Sequence, residues 1–232
     1  MERLELAIII PAFNEQNTIG HVVERTRALG QVIVVNDASQ DATSRQAEQF
    51  GAIVVNHSSN RGYDAALNSG FKKAFAMGCR YVITLDADGQ HEPSLVSQFA
   101  FELERNALVL GVRPKPQRVA EWVFAFVTHL LYGIRDPLCG MKGYRMELFR
   151  ALGHFDAYGS IGTELALTAV RSGISFSQIA IPIREREDQP RFGRRFAANY
   201  RIFRALVLGF ILAKRPMGLE LQILKTWERR GL

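Results

Sequence analysis

The sequence has only two cysteines in 232 residues, Cys79 and Cys139, far apart and in no Cys-x-x-Cys pair. A disulfide framework and a cysteine-held zinc site are thereby excluded, and both residues read as buried, reduced thiols. Long apolar runs are missing as well: the last one, Ala205 to Ala213, has nine residues, well short of the ~20 that span a bilayer. No Gly-x-Gly-x-x-Gly follows the first apolar run, where the chain reads Pro11-Ala12-Phe13-Asn14-Glu15, and this argues against a dinucleotide-dependent oxidoreductase. Repeats, low-complexity segments and Gly/Ser linkers are absent. Met1-Glu2-Arg3-Leu4-Glu5-Leu6 carries two acids and is unlike a signal peptide. A chain that is 47% hydrophobic can bury one sizeable core, so a single cytoplasmic globular domain is expected.

The formal charge of +6 is unevenly placed. Up to Ile183 there are 17 Lys/Arg against 18 Asp/Glu, and from Arg184 onward 12 against 5. All the surplus positive charge therefore lies in the last fifth of the chain. Such a block answers an anionic partner: phosphates, nucleic acid or an acidic membrane surface.

Short β-branched runs bounded by turn residues predict strands at Leu4–Ile10, Val32–Val35, Ile53–Val55, Tyr81–Leu85 and Leu108–Val112. Helical spacing fills the gaps at Thr18–Leu29, Asp41–Phe50, Tyr63–Met77 and Pro93–Asn106. Strands apolar on both faces and alternating with helices predict a mostly parallel, Rossmann-like α/β sheet whose ligands bind at the strands' carboxyl ends. The second half reads as a helix over Val119–Tyr132, a turn-rich piece from Asp136 to Gly143 and a short strand at Tyr144-Arg145. Helices at Met146–Leu152 and Glu164–Ser172 and a strand at Phe176–Ile183 follow.

Polar residues stand at four successive strand ends: Asn14-Glu15, Asn36-Asp37, Asn60-Arg61-Gly62 and Asp86-Ala87-Asp88. Two carboxylates separated by one small residue after a buried strand can converge on one hard cation, with Gly89 turning the backbone behind them. Such a cation bridges a nucleotide's diphosphate and neutralises its charge as it departs. A carboxylate at a strand end such as Asp37 either accepts hydrogen bonds from a base edge or stabilises its own turn; Asp41 reads as a helix cap. His91 is either a phosphate donor or a loop residue, and the other histidines show no ligand spacing.

Taken together, Pro11-Ala12-Phe13-Asn14-Glu15, Asp37-Ala38-Ser39-x-Asp41, Asn60-Arg61-Gly62 with Ala66, Asn68 and Gly70, and Asp86-Ala87-Asp88-Gly89-Gln90-His91 resemble the family-2 glycosyltransferases of GT-A fold. Asp136-Pro137-x-x-Gly140 and Arg191-x-Gly193 are similar to the branch that holds dolichyl-phosphate mannosyltransferases and polyprenyl-phosphate glycosyltransferases. The resemblance spans roughly residues 5 to 196 and implies a GT-A domain over 1–196, followed by a basic amphipathic helical segment over 197–232. It implies a nucleotide-sugar site lined by Pro11, Ala12, Asn14, Glu15, Asp37, Asn60, Gly62, Asp86 and Ala87, and Mg2+ or Mn2+ held by Asp86, Asp88 and Gln90. Asp88, Arg113, Arg118 and Arg191 are then the catalytic set, with the arginines facing an acceptor phosphate. Cys139 stands where that branch commonly has serine, and Arg194-Arg195 where it commonly has Ser-Lys.

The implied reaction moves a sugar with inversion from a UDP- or GDP-sugar to a polyprenyl phosphate. A lipid monophosphate, with a second pKa of about 6, is already largely anionic near neutral pH and needs cationic positioning rather than a base. A saccharide hydroxyl, the rival acceptor, needs a base, for which Glu164 is the candidate; an acid at a helix start is also favoured by the dipole alone. A non-catalytic anion or nucleic-acid binder would explain the basic C-terminus but leave the strand-end carboxylates without purpose, so no nucleic-acid partner is expected. Phe196, Tyr200, Phe203, Val207 and Phe210 recur at helical spacing, with Arg194, Arg201 and Arg204 on another face. That helix either lies on the cytoplasmic face of the membrane as a peripheral contact or packs on the protein's own core.

Overall fold

Each of the five apolar runs forms a strand in the computed structural model, which describes residues 5–89, 92, 94–116, 118–182 and 195–212. The strands β1 (Leu6–Ala12), β2 (Gln31–Asn36), β3 (Ile53–Asn56), β4 (Tyr81–Thr84) and β5 (Leu108–Val112) alternate with helices. These are α1 (Ile19–Thr26), α2 (Thr43–Gln49), α3 (Tyr63–Ala76), α4 (Ser94–Leu103) and α5 (Val119–Tyr132). The second half adds β6 (Lys142–Arg145), α6 (Met146–Leu152), α7 (Glu164–Arg171), β7 (Phe176–Ala180) and α8 (Arg195–Leu212).

The seven strands form one sheet in the order β3-β2-β1-β4-β6-β5-β7. All run parallel except β6, which lies antiparallel between β4 and β5. The carboxyl ends of the parallel strands, and the start of β6, therefore share one edge of the sheet. Side chains alternate across it, as the two-residue period of a strand requires. Ala7 and Ile9 pack into one core layer with Leu67, Phe71 and Phe124, while Ile8 and Ile10 pack into the other with Ile19, Val23 and Phe99.

Several boundaries differ from the sequence reading, among them ends of β1, β6 and β7. Strand β1 extends to Ala12, because the carbonyl of Ala12 still accepts the amide of Asp37 at 2.9 Å; Pro11 and Ala12 thus belong to the strand. Strand β6 starts at Lys142, whose amide donates to the Thr84 hydroxyl at 3.1 Å. Strand β7 closes at Ala180, after pairing with β5 through Val112.

Helix α8 crosses residue 196, the position at which the sequence reading divides the chain. Its Ala198, Ile202, Ala205 and Leu206 are buried in the same core layer as Phe124 of α5, and Arg171 of α7 donates to the carbonyl of Gly209 at 3.0 Å. Both cysteines are buried and reduced. Among the described residues no helix is long and apolar enough to cross a membrane.

Candidate active site

The loops after β1 and β2 are tied together by reciprocal bonds. The amide of Asn14 donates to the Ser39 hydroxyl at 2.9 Å, while the Asn14 side-chain carbonyl accepts the amide of Gln40 at 2.9 Å. The amide of Glu15 reaches Thr43 Oγ1 at 2.7 Å. Asp41 accepts from the amides of Thr43 and Gln16 at 3.0 and 3.2 Å. Burial raises the Asp41 carboxyl, but the bonds from Thr43 and Gln16 outweigh it and hold the group below its ordinary value. Asn14 and Ala38 both have left-handed backbone, at φ 54° and 61°. Alanine lacks the polar side chain that makes asparagine tolerant there, so Ala38 stores strain of about 1–2 kcal/mol.

Asp37 is 4% exposed and fully engaged with the loop after β3. One carboxylate oxygen accepts the amide of Arg61 at 2.8 Å and meets His57 Nδ1 at 2.7 Å; the other accepts the amide of Gly62 at 2.7 Å. His57 is fixed from its far side by Ser69, 2.8 Å from Nε2. Asp37 therefore organises the Asn60-Arg61-Gly62 loop, in which Asn60 is exposed. Sequence reasoning gave His57 no part in this, since His57 and Asp37 lie 20 residues apart.

The Asp86-Ala87-Asp88 loop leaves β4 with Ala87 buried and both aspartates partly exposed. Gly89 then takes φ +73°, a conformation that favours glycine. The segment after Asp136 packs directly on this loop: Thr84 donates to the carbonyl of Gly140 at 2.6 Å. A Cβ at Gly140 would lie 2.1 Å from Asp86 Oδ2. Only glycine leaves room for that carboxylate, which is the physical content of the Asp136-Pro137-x-x-Gly140 motif. The Tyr63 hydroxyl approaches Asp86 Oδ1 at 3.5 Å.

Lys142, which the sequence reading passed over, is 3% exposed at the start of β6. Its ammonium donates to the carbonyl of Gly162 at 2.8 Å. Burial lowers its pKa, against the pull of Cys139, Asp136 and Asp86 around it. Burial likewise pushes the Cys139 thiol up to about 12, so the cysteine is an unreactive packing residue. A lysine in a Met-Lys-Gly-Tyr stretch carries no periodicity signal; only the pairing of β6 with β4 reveals it.

The arginines after β5 bind carboxylates of the protein itself. Arg113 grips Asp136 through Nε and Nη2 at 2.7 and 2.9 Å and reaches Glu121 at 3.3 Å. Arg118 binds Glu121 at 3.0 Å. Burial disfavours the Arg113 cation, and the bond to Asp136 reverses this and holds it protonated. Arg113 and Arg118, which the sequence reading sets facing an acceptor phosphate, thus lie half-buried in an ion-pair network with Asp136 and Glu121.

Glu164 is also engaged. Its carboxylate accepts the amide of Ala157 at 2.6 Å and meets His154 Nε2 at 2.9 Å. Nearby, Asn68 holds the loop before α7 through Phe155 and Asp156. Asp64 accepts the amide of Gly162 at 2.6 Å. Burial, followed by the charge of Asp156, raises the Asp64 carboxyl to about 6. Ile161 in this loop has φ 58°, a left-handed backbone that is costly for a β-branched residue.

Gln90, His91, Arg191, Gly193 and Arg194 lie outside the described residues. Among the described residues no three His, Cys, Asp or Glu side chains converge as a metal-binding group. The donors at the Asp86–Asp88 loop still suit a hard divalent cation. They are carboxylate oxygens, one of them seated against a glycine, and Mg2+ keeps several oxygens from water or phosphate as part of its own shell.

A mixed sheet with polar strand ends gathered on one edge and a carboxylate pair after β4 is the arrangement of the GT-A fold. Residues 7–153 match the family described as glycosyl transferase family 2; the chain belongs to that family and is a hexosyltransferase. It is 26% identical over 178 residues to the UDP-N-acetylglucosamine–dolichyl-phosphate N-acetylglucosaminyltransferase of Methanococcus voltae, covering 62% of this chain and 71% of that relative. It is 26% identical over 208 residues to the undecaprenyl-phosphate mannosyltransferase of Micrococcus luteus, covering 79% and 85%. The crystal structure of glucosyl-3-phosphoglycerate synthase from Mycobacterium tuberculosis with Mn2+, UDP and phosphoglyceric acid superposes with a TM-score of 0.72. It shares 22% identity over 89% of this chain and 81% of that one.

Proposed function

We propose that the chain transfers one sugar, with inversion, from a UDP- or GDP-sugar to a polyprenyl phosphate at the cytoplasmic face of a membrane. The observation that carries this reading is the Asp86–Asp88 loop, with the Asp86 carboxylate seated on Gly140, in a chain whose relatives include transferases named for polyprenyl-phosphate acceptors.

Asp86 and Asp88, with Gln90, would hold Mg2+ or Mn2+, which supplies positive charge to the diphosphate as it departs. Pro11, Ala12, Asn14 and Glu15 would line the nucleotide on a loop already fixed by Ser39, Gln40 and Thr43. Asp37 would shape the base end through Asn60, Arg61 and Gly62. Lys142 would balance the charge of Asp86 and keep that loop in place. Arg113 and Arg118 act as positioning residues, because their bonds to Asp136 and Glu121 hold the β5–α5 loop against the motif that carries Gly140. Arg191 completes the set as a cation for the acceptor.

In the reaction a phosphate oxygen of the acceptor attacks the anomeric carbon. The bond from that carbon to the donor's diphosphate breaks, and its electron pair leaves with the nucleoside diphosphate. A phosphate nucleophile needs no proton removed. This favours the lipid-phosphate acceptor over a saccharide hydroxyl, since the carboxylate of Glu164 already binds Ala157 and His154.

A thermal-shift panel of UDP- and GDP-sugars with and without Mn2+ tests the donor side, because a ligand of the native state raises the melting temperature. One nucleotide series should stabilise the protein, and more strongly with the metal. No shift with either series would overturn the donor assignment.

A further inference from the structure

Helices α5 and α8 pack against each other, with Tyr132 stacked on Phe210 at 6.1 Å, and each exposes an apolar stripe away from the core. On α5 the stripe is Val119, Trp122, Phe126 and Leu130, exposed by 73, 59, 55 and 72%. Trp122 and Phe126 stack at 5.6 Å. On α8 it is Tyr200, Phe203, Val207 and Ile211. Single exposed apolar residues are ordinary, but two packed helices with continuous stripes mark an interaction surface. The sequence reading placed an apolar stripe on α8 and none on α5; the residues that α8 buries are a different set, Ala198, Ile202, Ala205 and Leu206.

We propose that these outer faces of α5 and α8 form the surface that docks the enzyme on an anionic bilayer, with Trp122 and Phe126 seated at the headgroup level. Charge decides for lipid over a second copy of the chain. Helix α8 contains no Asp or Glu, and the one acid of α5, Glu121, is buried on Arg113 and Arg118. Arg201 and Arg204 are exposed beside the α8 stripe, Arg204 with Nη1 donating to the carbonyl of Tyr158 at 2.8 Å, a bond that leaves its charge unneutralised. A self-associated pair would bring arginine against arginine, whereas an anionic surface attracts each of them. Tryptophan and tyrosine rings favour this interface because one edge is apolar and the other polar. The surface also begins where the acceptor side of the site ends, since Arg118 immediately precedes α5. Only this last link rests on the polyprenyl-phosphate reading.

The experiment uses the full chain carrying W227F, which leaves Trp122 as its single tryptophan. It is mixed with phosphatidylcholine vesicles with and without phosphatidylglycerol. With the anionic vesicles, Trp122 emission should shift to shorter wavelength and be quenched by brominated lipid. Binding should weaken at high salt, and Trp122→Ser with Phe126→Ser should reduce the vesicle-bound fraction at least about tenfold. An unchanged Trp122 spectrum would overturn the proposal. So would a dimer in sedimentation that the same double substitution dissolves. Transfer to a short-chain, water-soluble prenyl phosphate without vesicles tests the acceptor reading alone. Transfer there with no quenching removes only the docking surface; quenching without transfer removes only the acceptor.

Discussion

The two sides of the proposed site, one for the nucleotide and one for the acceptor, are built by different means. On the nucleotide side the loops after β1, β2 and β3 are held by short bonds between side chains and backbone amides, centred on Asn14, Asp37 and Asp41. On the acceptor side the holding contacts are ion pairs among Arg113, Arg118, Glu121 and Asp136, and the flanking helices leave aromatic residues exposed. Amide-to-carboxylate bonds fix these loops through the backbone, as a pocket for a base and ribose requires. Arg113 and Arg118, balanced by Asp136 and Glu121, form a charge-paired framework beside the proposed acceptor site. The contrast predicts that damage on one side appears in nucleotide affinity and on the other in stability or transfer.

The largest effect is expected between the two sides. Asp88→Ala should lower turnover about a thousandfold, equivalent to about 4 kcal/mol of transition-state stabilisation, with an unchanged urea midpoint. Near-normal turnover would remove the metal site from the account. Next is Asp136→Ala, which strips buried Arg113 of its two-pronged partner and should cost about 3 kcal/mol of stability in urea unfolding. Arg113→Met combined with Asp136→Leu should recover most of it, and a failure to do so would show that Asp136 acts through something other than the pair.

Asp37→Ala should cost about 2 kcal/mol, because Arg61, Gly62 and His57 lose a shared acceptor. Nucleoside diphosphate affinity, measured by calorimetry, should fall with it. Affinity lost without stability would make Asp37 a direct contact to the base and blur the contrast. The last effect, spread over a pH window rather than read at one pH, is set by Asp64. Its folded pKa of about 6 lies above the ordinary aspartate value of about 3.9. Below the lower value both states hold the proton, between the two only the folded protein does, and above the upper value neither does. The stability Asp64 contributes is therefore complete below about pH 4 and lost as pH rises to about 6. The wild-type stability minus that of Asp64→Asn should fall across this window, and a flat difference would contradict the raised pKa.

The nucleotide side was the more legible in the sequence. Strands β2 and β3 and helix α3, expected at Val32–Val35, Ile53–Val55 and Tyr63–Met77, form with each end within one residue of those bounds. The carboxylates at the ends of β2 and β4 stand out because each directly follows an apolar run. The acceptor side was harder, since its residues act through partners distant in sequence. Arg113 meets Asp136 across 23 residues, and Asn68 meets Asp156 across 88. Strand β6 is four residues long, with two charged positions in Lys-Gly-Tyr-Arg; its place between β4 and β5 depends on tertiary pairing, and the burial of Lys142 follows from that place. The exposed stripe of α5 has the composition of a core helix, and only packing on its opposite face, through Ala120, Phe124 and Thr128, shows which side remains outside.

A competition assay addresses the central claim most directly. A radiolabelled nucleotide sugar, of the base chosen by the thermal-shift panel, is supplied with Mn2+ to the full chain in the presence of both a short-chain prenyl phosphate and an oligosaccharide. Label should pass to the prenyl phosphate, in a product whose anomeric configuration is inverted relative to the donor, and both chelation of the metal and Asp88→Ala should abolish it. Label on the oligosaccharide, or transfer to the lipid that persists without divalent metal, would contradict the account.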